Sequence, residues 1–145
     1  MKIAIVIASN GLIAKELLRV AEDTVGRVGN ISAIDFHEGE SLDELLDRYK
    51  KTILRLDVEH GILFLIAGES SCHQLIASQI SYEFNKVQII TGVNLTMLVS
   101  LMLYENDETD LQLLTLKALH YGGNAIHAVN VNILKGDNQD LDNTI

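Results

Sequence analysis

Apolar residues fall into two rhythms along this chain, continuous runs and runs spaced at three and four. Residues 3–8, from Ile3 to Ala8, are unbroken and mostly β-branched, as in a strand buried on both faces. Ser9-Asn10-Gly11 interrupts that run. Ile13, Leu17, Val20 and Ala21 then recur at helical spacing, predicting a helix over 12–25 that Gly26 and Gly29 end. Residues 31–36 read as a second strand. Ser41 and Glu44 form a capping box that opens a second helix, with Leu42, Leu45, Leu46, Tyr49 and Ile53 on its buried face.

The alternation continues. Residues 61–66 read as a third buried strand, and a small polar loop from Ala67 to Cys72 leads into a helix carrying Leu75, Ile76, Ile80 and Phe84. Val87 to Thr91 is a fourth strand. Gly92-Val93-Asn94 turns the chain into a helix over 96–104, and a further helix runs over 109–121, punctuated by Gly122-Gly123. Val129, Val131 and Ile133 alternate with Asn130 and Asn132, the period of an edge or exchanged strand. Residues 135–145 are polar and acidic, and read as a flexible tail. No internal repeat and no interdomain linker is visible, so residues 1–134 are one domain.

Strand and helix alternate four times. That order predicts an α/β fold with right-handed crossovers: a doubly wound, mostly parallel four-stranded sheet, helices on both faces. Ligands of such sheets bind beyond the carboxyl ends of the strands. The candidate loops are therefore Ser9–Gly11, His37–Glu40, Ala67–His73 and Gly92–Leu95.

Composition narrows the classes. A chain of 145 residues buries roughly two-thirds of its unfolded surface and needs no covalent staple. Cys72 is the only cysteine, so no intrachain disulfide forms. Aromatic residues make up 5% and tryptophan is absent, so the core is aliphatic. The net charge of -9 opposes nucleic acid and anionic lipid at long range. The opening apolar run is too short for a membrane span and lacks a signal-peptide pattern. We expect a cytoplasmic protein without membrane insertion.

Several residues could carry chemistry. Ser9-Asn10-Gly11 lies between a buried strand and a helix start, which suits either an anion or a plain cap by Asn10. Ser70 or Ser71 can cap the next helix. His73 then falls in its first turn, where the dipole disfavours imidazolium; it is either a nucleophile or ligand, or a surface histidine. Cys72 is either a reactive thiol or a small buried residue. His37, His60, His120 and His127 have no metal-ligand spacing, and no phosphate-binding glycine loop or serine elbow is present. No metal or cofactor is implied. Asp107-Glu108-Thr109-Asp110 reads as a charge cluster at a helix start.

Four stretches, in order and in spacing, carry a resemblance. They are Ile3–Ile7 with Gly11, Ile34-Asp35-Phe36 with Gly39-Glu40, Gly61–Leu65, and Ile90 to Leu98 with its Gly-Val-Asn-x-x-Met-Leu pattern. Over residues 1–130 the chain resembles the mannose-family IIA domains of the bacterial sugar phosphotransferase system. The resemblance implies a parallel sheet with an antiparallel C-terminal strand exchanged in a homodimer. It also implies phosphoryl relay. A histidine after the first strand takes the group from HPr and passes it to a IIB component, while an aspartate after the third strand orients it.

The chain departs from that pattern at each of these points. Asn10 stands at the histidine position, Ala67 at the aspartate position, and Ser70-Ser71-Cys72-His73 at a Gly-Gly-Ser/Thr-Pro segment. The expected site is thus a degenerate phosphoacceptor pocket of Ser9, Asn10, Gly11, Ala67, Ser70, Ser71, Cys72 and His73. Three readings follow. The chain is a IIA-like pseudoenzyme that acts as a docking subunit or regulator, with HPr, a IIB component or a transcriptional regulator as partner, at most peripheral to a membrane sugar permease. Or it is a phosphocarrier using His73. Or it senses a small anion or metabolite.

Overall fold

A computed structural model describes residues 1–130. Four strands, β1 (Ala4–Asn10), β2 (Ile31–Phe36), β3 (Ile62–Ile66) and β4 (Val87–Thr91), pair in the order β2-β1-β3-β4, all parallel. Five helices accompany them: α1 (Ile13–Val25), α2 (Leu42–Leu54), α3 (Ser71–Glu83), α4 (Leu95–Tyr104) and α5 (Leu111–Asn124). The pleat explains the unbroken apolar runs. Ile3, Ile5 and Ile7 face a core built with α1, α4 and α5, whereas Ala4, Val6 and Ala8 face one built with α2 and α3. Both faces are dry, so both parities must be apolar.

Several details depart from expectation. β1 continues through Ser9 and Asn10, which pair with Asp35 and Phe36, so only Gly11 onward is loop. Leu42 and Leu75, expected in the core, are exposed. The buried stripe of α3 is His73, Ile76, Ala77 and Ile80 instead. Gly122-Gly123 does not end α5, which runs on to Asn124. Gly122 faces α4 so closely that a Cβ there would lie 2.5 Å from Met97 Cε. Its carbonyl also accepts from Asn94 Nδ2 at 2.9 Å. The glycine serves helix packing, not termination.

Of the expected strand over 129–133, Val129 and Asn130 stand in a turn, and the remainder lies outside the described residues, as does the tail from 135. Among the described residues no helix is long and apolar enough to cross a membrane. The strand order reverses between β1 and β3, whose carboxyl ends form the switch point.

Candidate functional site

Ser9 and Asn10 close β1 with opposite fates. Ser9 is buried, and its Oγ accepts the Ala14 N–H at 2.7 Å. Ser9, not Asn10, therefore supplies the side-chain oxygen at the start of α1. Asn10 is exposed, and its Oδ1 accepts from Ser70 Oγ at 3.2 Å, across the switch point. Gly11 turns the chain at φ +64°, a left-handed conformation that favours glycine.

The β3 loop faces this from the other side. Ala67 donates its N–H to the Ala8 carbonyl at 2.8 Å, and its side chain is a methyl group. Ser70 is buried at the N-cap of α3, yet its hydroxyl goes to Asn10 and not to the helix. Ser71 is exposed and Cys72 half-buried. Neither makes a side-chain hydrogen bond among the described residues.

His73 is the residue the sequence placed least well. It is no surface histidine: its exposure is 0%. Nε2 lies 2.8 Å from the Ser9 carbonyl oxygen, which can only accept, so the ring proton is on Nε2. Nδ1 then accepts from the Tyr49 hydroxyl. Burial pushes the His73 pKa below the usual histidine value, against the raising effect of the Ser9 bond. Burial also drives the Tyr49 pKa upward. The imidazole is a neutral strut joining α2 and α3 to the end of β1.

A second group of polar residues escaped the sequence reading, although the His37–Glu40 loop that borders it was a candidate. Asp35 is wholly buried at the carboxyl end of β2. Its Oδ1 accepts from Arg48 Nη2 at 2.6 Å, while Oδ2 faces Lys15 Nζ at 3.2 Å and His37 Nε2 at 3.3 Å. Glu40 takes the other Arg48 nitrogen at 2.8 Å. Burial alone would raise the Asp35 pKa, but the bonds from Arg48 and Lys15 outweigh it and hold the carboxyl below its usual range. The available signal was a lone charge inside an apolar strand.

Residues 4–117 match the family described as the PTS system fructose IIA component. The chain is 33% identical over 129 residues to the "PTS system mannose-specific EIIAB component" of Escherichia coli K12; that alignment covers 89% of this chain and 40% of that relative. The crystal structure of phosphotransferase system component EIIA from Streptococcus agalactiae superposes with a TM-score of 0.79 at 21% identity, covering 89% of this chain and 98% of that one. The mannose/sorbose-specific IIA subunit from Enterococcus faecalis gives 0.76 at 17% identity, covering 89% and 96%. At such identities the two structures speak for the fold, and the sequence match speaks for descent. On that match, this chain belongs to the fructose/mannose IIA component family of the sugar phosphotransferase system.

Proposed function

We propose that this IIA component does not relay phosphate through residue 10 and acts by docking on phosphotransferase partners, as a regulatory or scaffolding subunit. One observation carries the reading. At the switch point, an Asn10 amide is held by Ser70, and Ala67 presents a methyl group at the position that the resemblance gives to an orienting aspartate. An amide nitrogen shares its lone pair with its carbonyl and is a poor nucleophile. The buried His73 offers no free ring nitrogen, since Ser9 and Tyr49 occupy both. These contacts support a positioning role for His73 over the phosphocarrier role.

The test is incubation with phosphoenolpyruvate, enzyme I and HPr, read by peptide mass spectrometry. The expected result is no phosphoryl group on Asn10 or His73, together with saturable binding of HPr in a parallel calorimetric titration. Phosphate mapped to either residue, or no binding of HPr, rejects the reading.

The homodimer belongs to the same proposal. Leu116, Leu119, Ile126 and Val129 are apolar and exposed along α5 and beyond it, a patch that a second copy would cover. Light scattering at micromolar concentration should give twice the chain mass. A monomer at that concentration removes this part.

A further inference from the structure

We propose that His37 is a phosphoacceptor: its Nδ1 takes a phosphoryl group carried on nitrogen, and Asp35 is its positioning residue. The docking reading above enters only in naming a phosphohistidine protein as the natural donor.

The five histidines separate cleanly. His73 is buried with both nitrogens engaged. His60 has only the exposed Glu59, at 4.0 Å. His120 meets the side chain of Asn124. His127 is exposed and makes no hydrogen bond or ion pair among the described residues. His37 alone combines an exposed ring, 62% accessible, with a carboxylate that is 1% accessible, Nε2 to Oδ2 at 3.3 Å.

The carboxylate is arranged for this. Arg48 fixes Oδ1, whereas Oδ2 is buried without a well-formed hydrogen bond. Oδ2, faced by Lys15 Nζ at 3.2 Å and His37 Nε2 at 3.3 Å, is therefore the carboxylate atom that can accept from an imidazole N–H. A proton held on Nε2 leaves the lone pair on Nδ1, and no hydrogen bond engages Nδ1 among the described residues. Lys15, half exposed and 3.2 Å from the same oxygen, adds a cation to the same cluster.

The position also suits delivery. His37 follows Phe36, which pairs with Asn10, and Gly11 N–H points at the Phe36 carbonyl at 3.5 Å. Adjacent strands lie about 4.8 Å apart. A donor presented at the end of β1 needs to shift by only about one strand spacing to meet the end of β2.

The step balances without a further reactant. The Nδ1 lone pair attacks phosphorus as the donor's N–P bond breaks, and that electron pair returns to the donor nitrogen. A phosphoimidazolium donor leaves as neutral imidazole. The positive charge it loses appears on the His37 ring, with the Nε2 proton kept against Asp35.

The experiment uses the full chain and two donors, potassium phosphoramidate and phospho-HPr, with acid-labile phosphate located by peptide mass spectrometry. Phosphoramidate needs no protein docking and leaves as ammonia. We expect it to label His37 about tenfold faster than the exposed His127, and H37Q to lose that label while keeping its melting curve. Equal rates at His37 and His127, or no label on the wild type, overturns the proposal. Label from phosphoramidate but none from phospho-HPr upholds His37 and removes HPr as its donor, while the docking reading is decided separately by the HPr titration. Asp35→Asn should slow labelling of His37 while His127 in the same protein keeps its rate, and Asp35→Glu should restore part of the loss. An unchanged His37 rate in Asp35→Asn removes Asp35 from the role.

Discussion

Asp35→Ala is expected to cost about 3 kcal/mol of folding stability, read as a lower urea midpoint at unchanged slope. The cost depends on which partners are stranded. Removing one member of a buried ion pair leaves the other charge desolvated and uncompensated, a larger loss than the pair's net worth. Arg48 would keep Glu40, and both Arg48 and Lys15 reach water, so the effect belongs at the low end of that mechanism's range. Asp35→Asn should cost less, since an amide oxygen still accepts from Arg48. The sign with pH is fixed by the depressed pKa of Asp35. Its stabilisation is present in full above the unfolded carboxylate value, about 3.9, and is lost as pH falls through the lower folded value. The gap between wild type and Asp35→Ala therefore closes in acid. A midpoint for Asp35→Ala equal to wild type at neutral pH would mean that the cluster is a solvated surface network.

What could be read from the sequence divides along a physical line. The runs Ile3–Ala8 and Ile62–Ile66 announce strands dry on both faces, because nothing but a sheet between two helix layers buries both parities. Ser41 and Glu44 announce the start of α2, because the capping box is local. Misreadings arise where a residue's role is set by an element distant in sequence. Ser9 and Asn10 look like a loop, yet pairing with Asp35 and Phe36 extends β1 over them. Gly122 looks like a stop, yet Met97 on α4 occupies the space of its missing side chain.

The same division runs through the site. Asn10, Gly11 and Ser70 were legible because they sit at the carboxyl ends of strands, and the structure joins Asn10 to Ser70. Asp35 was not legible as a hub, because Lys15 comes from α1 and Arg48 from α2. Spacing could have revealed one fact that was missed. His73, Ile76, Ala77 and Ile80 stand at i, i+3, i+4 and i+7, which marks the histidine as part of the buried stripe of α3.

That burial makes the stability of the fold sensitive to acid through His73. Its folded pKa is lowered, by burial first and with Arg48 adding to the effect. The unfolded chain therefore takes up a proton near the ordinary histidine value of about 6.5, where the native state does not. Stability is greatest above that pH and falls as pH drops below it, at up to about 1.4 kcal/mol per unit for one proton. His73→Gln should flatten the profile. A glutamine amide can donate to the Ser9 carbonyl and accept from the Tyr49 hydroxyl, as the neutral imidazole does, but it does not titrate. His73→Ala should flatten it too, while costing about 3 kcal/mol at pH 7.5, since two buried polar partners are orphaned and a cavity opens between α2 and α3. The other four histidines are common to all three proteins, so the difference curve belongs to position 73. Urea unfolding at intervals between pH 7.5 and pH 5 gives that curve directly. Parallel profiles for wild type and His73→Gln would show that His73 gains its proton without opening its contacts to Tyr49 and Ser9, and the neutral strut would have to be abandoned.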